Sequence, residues 1–375
     1  MELTAEQRAI ERVVGEVVDD VIRPTARECD RAETFPEDAW DELAALDLTA
    51  MTVPEAYGGL AVDSLTYSVV NEAVARGSLA VATALSVHCL ATSCLAEFGD
   101  ETQRERWLPD MATGRPVGAF ALSEPEAGSN PAAMTTEARP EGDEYVVNGT
   151  KQWITNGERS DVVVLFAKTD RDDSDTVTQF VVPKDTDGLS VGKKEEKLGL
   201  RASDTTTLVF EDARIPADAR LTPVGEGLSA AFHILTGGRI GIASQSVGLG
   251  QAALDAALTY ADEREQFDRK LSAMQTIRHK LADMQTRLQA ARLLTRDAAR
   301  KADAGEDHRM AASMAKYFAS EAAVDVANEA VQIHGGYGYT TDFPVERFYR
   351  DSKVLPIYEG TSQIQKEVIA RELLD

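Results

Sequence analysis

The sequence predicts an α+β protein, mostly α-helical, with an N-terminal helical domain, a central antiparallel β-barrel or sandwich, and a C-terminal helical bundle. Three observations predict this order. Ala, Glu, Leu and Arg dominate residues 1–115, Val, Thr, Gly and Asp become frequent over residues 116–225, and helix formers return over residues 226–375. We take these three ranges as the domains.

The N-terminal region begins with a helix start signal. Thr4 and Gln7 have the spacing of a capping box, in which each side chain accepts a hydrogen bond from the other residue's backbone. A second helical stretch is predicted over residues 64–98 and ends at Gly99, a common helix stop.

The central region contains short runs of β-branched and aromatic residues. The Asn148-Gly149 pair within the first run is typical of a hairpin turn, and we expect the chain to reverse there. Closely spaced strands with turn residues between them are typical of a small barrel or sandwich. The predicted strands are residues 145–150, 161–166, 179–183 and 205–210.

The C-terminal region carries a narrow apolar stripe whose members are three or four residues apart, as on one face of a long helix. The stripe consists of Met274, Ile277, Leu281, Met284, Leu288 and Ala291. Residues 252–260 and 311–331 supply partner helices, so we expect an antiparallel bundle.

Residues 248–253 (GLGQAA) match a short dinucleotide-binding pattern. That pattern needs a preceding strand within a βαβ unit, and here an Ala-rich helix follows without one. We therefore interpret these small residues as a close contact between helices.

Acidic residues outnumber basic ones, 63 to 39, which gives a formal net charge of −24. A nucleic-acid partner is excluded, because such binding needs clustered Lys and Arg. The acidic residues are spread along the chain, as in proteins of salt-loving cells. Our hypothesis is that folding requires high salt, which screens the self-repulsion.

Other classes of protein are also disfavoured. No stretch approaches the ~20 apolar residues of a membrane span, and the N-terminus lacks the pattern of a signal peptide, so a cytoplasmic location is expected. The odd count of three cysteines and five scattered histidines predict neither a disulfide framework nor a metal site. Cys89 and Cys94 are predicted to be buried thiols on a helix.

Four separated segments combine small residues, hydroxyls, amides and aromatics. Each alone has a structural interpretation as a turn, a core residue or a helix stop; Ser362 and Gln365, for example, form a capping-box pattern. The segments are residues 120–129 (FALSEPEAGS), 151–157 (KQWITNG), 332–339 (QIHGGYGY) and 357–365 (IYEGTSQIQ).

In this order and at these separations, the four segments resemble the acyl-CoA dehydrogenases. The resemblance covers nearly the whole chain, since residues 53–59 (VPEAYGG), 264–267 (REQF) and 346–351 (ERFYRD) also fit. It implies an α domain, a central β domain and a C-terminal four-helix bundle.

The resemblance implies that a carboxylate removes the α-proton of an acyl-CoA while the β-hydrogen leaves as hydride to N5 of FAD. The base of many members lies in a motif like residues 357–361, which identifies Glu359. A minority carry it just before an arginine, where this chain has Gly238 and Arg239, and glycine cannot act as a base. The donors to the thioester oxygen would be the backbone N–H of Glu359 and a ribityl hydroxyl of FAD.

The resemblance also implies binding residues, all named by their positions in this sequence. Those implied for FAD are Phe120, Leu122, Ser123, Gly128, Ser129, Trp153, Ile154, Thr155, Thr361, Ser362 and Gln363. Ile333 is also implied for FAD. Those implied for the FAD of a neighbouring subunit are Arg264, Gln275, Gln332, Gly335 and Gly336. Those implied for the substrate are Ser129, Arg239 and Gly360.

The implied partners are an electron-transfer flavoprotein and copies of the same chain, usually in a tetramer. Two alternatives stay open: an acyl-CoA oxidase, which passes electrons to oxygen, and a non-catalytic relative that binds or assembles. Chain length disfavours the oxidase, and both the acidic balance and the Glu359 motif disfavour the second alternative. Residues 85–88 (LSVH) resemble short-chain members.

Overall fold

The computed structural model describes residues 3–374. The N-terminal region is helical, and the predicted capping box is confirmed: Thr4 Oγ1 accepts from the Gln7 amide at 3.1 Å, and Gln7 Oε1 accepts from the Thr4 amide at 3.1 Å. The helices are α1 (Ala5–Val17), α2 (Arg23–Ala32), α3 (Glu37–Ala45), α4 (Ser64–Gly77), α5 (Leu79–Phe98) and α6 (Glu101–Ala112).

The stretch predicted as one helix over residues 64–98 is in fact α4 and α5, separated at Ser78, which has an extended backbone at φ −153°. A Cβ atom on Gly77 would lie 2.8 Å from Cγ1 of Val18. The break therefore accompanies a close backbone approach to the N-terminal helices, which the local sequence does not encode.

Helix α5 is long and apolar enough to cross a bilayer by length and composition, so the expectation that no segment approaches a membrane span is wrong. However, 89% of its apolar window is buried inside the structure, as in the core helix of a folded domain. Cys89 and Cys94 are buried free thiols on this helix, as predicted.

The central region forms a curled sheet with the order β1-β4-β2-β3-β7-β6, and β5 pairs with β4. The expectation of a purely antiparallel sheet is only partly right, because β4 pairs in parallel with both β1 and β2. The strands are β1 (Gly118–Ala121), β2 (Glu137–Glu141), β3 (Glu144–Thr155), β4 (Val162–Lys168), β5 (Val177–Pro183), β6 (Leu189–Lys194) and β7 (Thr205–Pro216).

The hairpin turn predicted at Asn148-Gly149 is wrong, since β3 continues through this pair. The reversal occurs earlier, between β2 and β3, where Gly142 has φ +69°. Gly149 instead lies at a register shift against β7, and a Cβ atom there would lie 2.4 Å from Thr136 Oγ1. Glycine is needed here for close approach and not for a turn.

The C-terminal region is helical again, which confirms the predicted α, β, α order. Helices α7, α8 and α9 pack on one another, α11 packs against α9, and α4 packs across α7. The elements are α7 (Gly227–Glu263), β8 (Glu265–Gln266), β9 (Arg269–Lys270), α8 (Gln275–Asp303), α9 (Arg309–His334), α10 (Val345–Ser352) and α11 (Ser362–Leu374).

The glycine pattern at residues 248–253 lies in the middle of α7, so the interpretation as a helix contact is confirmed. A Cβ atom on Gly248 would lie 2.2 Å from the Glu72 carbonyl oxygen of α4. One on Gly250 would lie 2.5 Å from Leu288 Cδ2 of α8. The small residues thus let three helices approach closely.

Candidate active site

The chain turns sharply at Glu359 and Gly360, between α10 and α11. Both residues have left-handed backbone conformations, with φ of 54° and 89° respectively. Glycine adopts this conformation freely, whereas a residue with a side chain pays about 1–2 kcal/mol. Strained backbone of this kind is frequent at functional sites, so the Glu359–Gly360 turn is the first candidate.

Hydrogen bonds fix this turn from two helices. Lys316 of α9 donates from Nζ to the Gly360 carbonyl oxygen at 2.7 Å, and Gln365 of α11 donates from Nε2 to the same oxygen at 3.0 Å. Thr361 Oγ1 accepts from the Ile364 amide at 3.2 Å and so caps α11. The base of the turn is therefore held rigidly.

The capping box predicted from Ser362 and Gln365 is wrong, because Thr361 is the capping residue. The helix begins at Ser362, whose buried hydroxyl donates to Glu321 Oε1 at 2.6 Å. Its hydroxyl proton is therefore engaged by Glu321, and only the oxygen lone pairs could accept from a cofactor. Gln365 is directed to the Glu359–Gly360 turn and not to the helix start.

The Glu359 carboxyl group lies between α7 and α9. Its Oε2 atom is buried and accepts no hydrogen bond, and a Cβ atom on Gly238 would lie only 3.1 Å from it. Burial raises the pKa of Glu359 to about 7, against the opposing positive charges of Lys316 and Arg239. Within residues 3–374 the Glu359 backbone N–H also donates to no acceptor.

A cavity of about 1130 Å³ is lined by Gly238, which lies against this carboxyl group, although Glu359 itself does not line it. Its inner wall is mainly apolar and includes the buried Leu90 and Ile240 and the half-buried Tyr67. Its exposed rim carries Glu306 from the loop before α9 and Arg309, the first residue of that helix. The volume suits an extended ligand with an apolar end and a charged end.

Trp153 is an unusual residue of β3 that does not itself line this cavity. Its side chain is 54% exposed and its φ is 58°, unusual for a large aromatic residue within a strand. A Cβ atom on Gly128 would lie 3.9 Å from its ring. The half-buried Ser123 and Thr155 complete an open surface, which we call the Trp153 face. Ser129, next to Gly128, also lines the cavity.

A buried ion pair holds the two segments of the Trp153 face together. Lys151 Nζ lies 2.8 Å from Glu124 Oε1 and donates to the Leu122 carbonyl at 3.1 Å. Burial raises the pKa of Glu124, but Lys151 and the donors Thr135 and Thr136 outweigh it and lower that pKa to about 2. The pair therefore stays ionised at neutral pH.

Several residues implied for FAD present no free side chain. Leu122, Ile154 and Ile333 are 8%, 2% and 4% exposed and belong to apolar cores, so only their backbone could contact a ligand. Phe120 packs against Phe166, with ring centroids 4.8 Å apart. Gln363 is exposed at the start of α11. Ser123, Gly128, Trp153 and Thr155 lie on the Trp153 face, with Ser129 next to Gly128. Thr361 and Ser362 lie instead at the start of α11.

The residues implied for a neighbouring subunit form a second, separate set. Arg264, Gln275, Gln332, Gly335 and Gly336 are all exposed, and none lines the cavity beside Glu359. Aromatic side chains nearby are exposed as well. These are Phe267, Tyr337 and Tyr339, at 86%, 48% and 90%.

Arg239, implied for the substrate, is a buried residue and not a surface one. It lines the cavity, but its guanidinium is buried between α7 and α9, where Nη1 lies 3.4 Å from Ser313 Oγ and Nε has no partner. Its charge therefore acts on Glu359 as well as on any ligand.

The sequence analysis missed Lys316, Glu124 and Lys151. Lys316 had a detectable signal, because it occupies the same helix face as the small buried residues Ala312 and Ala319. A lysine on a buried face is unusual and needs a partner. Glu124 and Lys151 lie in two motifs that were noticed, but nothing in the sequence pairs them.

Comparison with known proteins identifies the class. Residues 4–115, 119–213 and 225–374 match the acyl-CoA dehydrogenase N-terminal, middle and C-terminal domains. The chain is 43% identical over 376 residues to the mitochondrial short-chain specific acyl-CoA dehydrogenase of Rattus norvegicus, covering 100% of this chain and 91% of that protein.

Two solved structures are similar throughout. Butyryl-CoA dehydrogenase from Megasphaera elsdenii has 38% identity and a TM-score of 0.97, with 100% of both chains covered. A chain from the structure of the electron transferring flavoprotein of Acidaminococcus fermentans has 39% identity and a TM-score of 0.97, covering 100% and 99%. Fold and site thus define a flavin-dependent oxidoreductase. The chain belongs to the acyl-CoA dehydrogenase family.

This family is FAD-dependent, and the residues present fit FAD. An exposed tryptophan beside Gly128 offers a flat apolar surface for an aromatic ring system, and the start of α11 favours an anionic group. Across residues 3–374 no group of three or more His, Cys, Asp or Glu side chains could hold a metal ion.

Proposed function

We propose that the chain catalyses FAD-dependent α,β-dehydrogenation of acyl-CoA thioesters to trans-2-enoyl-CoA, with Glu359 as the base. One observation carries the proposal: Oε2 of Glu359 is buried, unpaired and lies against Gly238, which lines a cavity of about 1130 Å³. A buried carboxyl oxygen without a partner is energetically costly, so its presence here supports a catalytic role.

The surroundings of Glu359 suit proton removal from carbon. Because its pKa is raised to about 7, the carboxylate is more basic than usual yet still substantially ionised at neutral pH. Its free backbone N–H can donate to the thioester oxygen as negative charge develops there. The apolar wall at Tyr67 and Leu90 excludes water from the acyl group.

The Trp153 face and the first turn of α11 are the proposed binding surface for FAD. When bound, FAD supplies the acceptor at N5 for the β-hydrogen, which leaves as hydride. Trp153 and Thr155 orient the ring system, and Thr361 and Gln363 lie at the positive end of the α11 dipole. Ser129 and Arg239 contribute to the substrate side of the cavity.

The proposed assembly is a homotetramer, in which Arg264, Gln275, Gln332, Gly335 and Gly336 reach the FAD of a neighbouring subunit. Their exposure beside uncovered aromatic side chains supports this role. We propose an electron-transfer flavoprotein as the electron acceptor, supported by the similarity to the Acidaminococcus fermentans chain. The proposed location is cytoplasmic.

Anaerobic addition of butyryl-CoA to the purified yellow protein tests the proposal. We expect the flavin absorbance to bleach. Glu359→Gln should retain FAD, but its rate of bleaching should fall by about 10²–10⁴-fold. The exposed Glu105 gives a control, since Glu105→Gln removes a carboxylate remote from the site. Bleaching at the normal rate in Glu359→Gln contradicts the assignment of the base.

The same preparation separates the alternatives. Rapid reoxidation by air after bleaching indicates an acyl-CoA oxidase, whereas slow reoxidation in air with fast transfer to an electron-transfer flavoprotein supports the dehydrogenase. Absence of bound flavin, with no bleaching after FAD is supplied, indicates a non-catalytic relative.

A further inference from the structure

Lys316 lies fully buried in α9, a rare situation for a lysine, and its ammonium group reaches the Glu359–Gly360 turn. We infer that Lys316 is a positioning residue for Glu359. It clamps the turn through the Gly360 carbonyl and supplies a positive charge that keeps the carboxylate ionised. The inference rests on the proposed role of Glu359 as the base.

The geometry separates the charge of Lys316 from its hydrogen bond. Nζ donates at 2.7 Å to the Gly360 carbonyl oxygen, and Oε2 of Glu359 accepts nothing. A direct ion pair would occupy the carboxylate lone pairs and reduce their basicity. Here the electrostatic attraction is retained, because it acts over several ångströms, while Oε2 stays free to take a proton.

The charge balance around Glu359 explains why a cation is needed. Its charged or titratable neighbours are Tyr67 of α4, Arg239 of α7, Lys316 of α9 and the adjacent Tyr358. Glu321 of α9 acts on Lys316. Burial alone would drive Glu359 to its neutral form. Lys316 and Arg239 oppose this by lowering the pKa of Glu359, and Lys316 has the stronger effect. Burial lowers the pKa of Lys316 to about 8, which Glu359 opposes, so the two groups support each other's charge.

The clamp also accounts for the strained backbone of the turn. The left-handed conformations of Glu359 and Gly360 direct the Gly360 carbonyl towards α9. Lys316 of that helix and Gln365 of α11 both donate to this carbonyl oxygen. Two donors on one carbonyl offset the strain of about 1–2 kcal/mol. Without Lys316 we expect the carboxylate to be less well placed as well as less ionised.

Three substitutions separate the effect of the Lys316 charge from that of its hydrogen bond to the Gly360 carbonyl. Lys316→Gln keeps a donor and removes the charge, Lys316→Met removes both, and Lys316→Arg keeps both. Lys280→Met is the control. It removes a half-buried lysine of α8 that pairs with Glu329 of α9. FAD content and Tm verify folding, and the Gln variant carries the test alone if the Met variant does not fold.

The first readout is the pH profile of kcat/KM. We expect Lys316→Gln to move the acid limb upward by about one pH unit. Lys316→Met should show the same displacement with an additional loss in kcat, and Lys316→Arg should restore the wild-type limb. The control should leave the limb unchanged.

The second readout does not depend on activity. Infrared difference spectra, recorded across pH without substrate, isolate the carboxyl band that Glu359→Gln abolishes. The midpoint of this band should also rise by about one pH unit in Lys316→Gln. An unchanged midpoint overturns the inference. If the midpoint moves but Glu359→Gln still bleaches, the electrostatic coupling stands and the proposed base is wrong.

Discussion

A Cβ atom on Gly238 would lie 3.1 Å from Oε2 of Glu359, so α7 and the turn before α11 converge on one point. These are also the two sequence positions at which the family is expected to carry its base. A carboxylate from either position would therefore occupy the same region of space, which accounts for both placements within one fold.

This convergence predicts that the base can be moved. Glu359→Gly should abolish bleaching by butyryl-CoA, and the double variant Glu359→Gly with Gly238→Glu should recover a measurable fraction, because the new side chain reaches the vacated space. Stopped-flow absorbance measures the recovery. Gly237→Glu with Glu359→Gly is the control, since its side chain leaves the helix in another direction. Equal recovery in both would contradict the spatial argument.

The raised pKa of Glu359 predicts opposite pH effects on activity and stability. Activity of the free enzyme should fall below pH about 7, where the carboxyl group becomes protonated. The folded-state pKa lies above the unfolded value of 4.5, so ionising Glu359 destabilises the fold increasingly as pH rises from 4.5 through 7. Glu359→Gln should therefore raise Tm at pH 8 and change it little at pH 4.5.

Scanning calorimetry at both pH values measures this difference. Glu105→Gln, on an exposed part of α6, should show no such pH dependence. A lower Tm for Glu359→Gln at pH 8 would mean that the carboxylate stabilises the fold, contrary to its unpaired position.

Much of the fold was predictable because the amino-acid composition changes along the chain where the architecture changes from helical to β and back. The α, β, α order, the capping box at Thr4 and the buried Cys89 and Cys94 follow from residue type and spacing, and all are confirmed. The expectation that no stretch approaches a membrane span in length and apolar content was wrong, because α5 meets both criteria. Its burial marks it as a core helix, and burial depends on the fold.

The predictions that were wrong concern features that depend on contacts between segments distant in the sequence. The break at Ser78 accompanies the approach of Gly77 to Val18, and Gly149 is fixed by Thr136 and not by a turn. At the site, Glu359 was identified from its motif, but Lys316 comes from a helix 43 residues earlier in the chain. Only the fold brings the two together.

Gly360 tests the turn itself. Gly360→Ala adds a Cβ atom 2.5 Å from Gln365 Nε2 at φ +89°, so it should displace the glutamine as well as strain the backbone. We expect a stability loss of about 1–2 kcal/mol and a fall in kcat. Urea unfolding and steady-state kinetics measure the two effects.

Gly142 provides the matched control for this substitution. It has φ +69° with nothing within 4 Å of an added Cβ, so Gly142→Ala reports backbone strain alone. We expect a similar loss of stability with unchanged kcat. If Gly142→Ala lowers kcat as much as Gly360→Ala does, the displaced Gln365 has no specific role in the turn.

The ion pair behind the Trp153 face predicts a link between stability and FAD affinity. Lys151→Met leaves Glu124 buried and unpaired, which should cost about 3–5 kcal/mol and weaken FAD binding. The double variant with Glu124→Gln should lose less. Lys193→Met, which breaks an exposed pair with Glu195, should cost at most about 1 kcal/mol. Urea unfolding and FAD titration compare them, and equal effects would contradict the argument.

Acid unfolding provides an independent check on this pair. The folded-state pKa of Glu124 is about 2 against an ordinary 4.5, so its stabilising contribution is present above pH 4.5 and lost as pH falls towards 2. Replacing Glu124 with Gln should remove that part of the acid dependence. A curve that keeps its full slope between these pH values would show that other carboxyl groups dominate.

The net charge of −24 predicts that salt stabilises the folded chain. Repulsion between dispersed carboxylates acts over about 10 Å at 0.1 M salt but only about 3 Å at 1 M. Tm should therefore rise steeply between dilute buffer and about 1 M KCl, and less at pH 4.5, where many carboxylates are protonated. Sucrose at equal osmolarity is the control, because it strengthens burial without screening charge. An equal rise with sucrose would assign the effect to solvent exclusion, and no rise in KCl would show that self-repulsion does not limit stability.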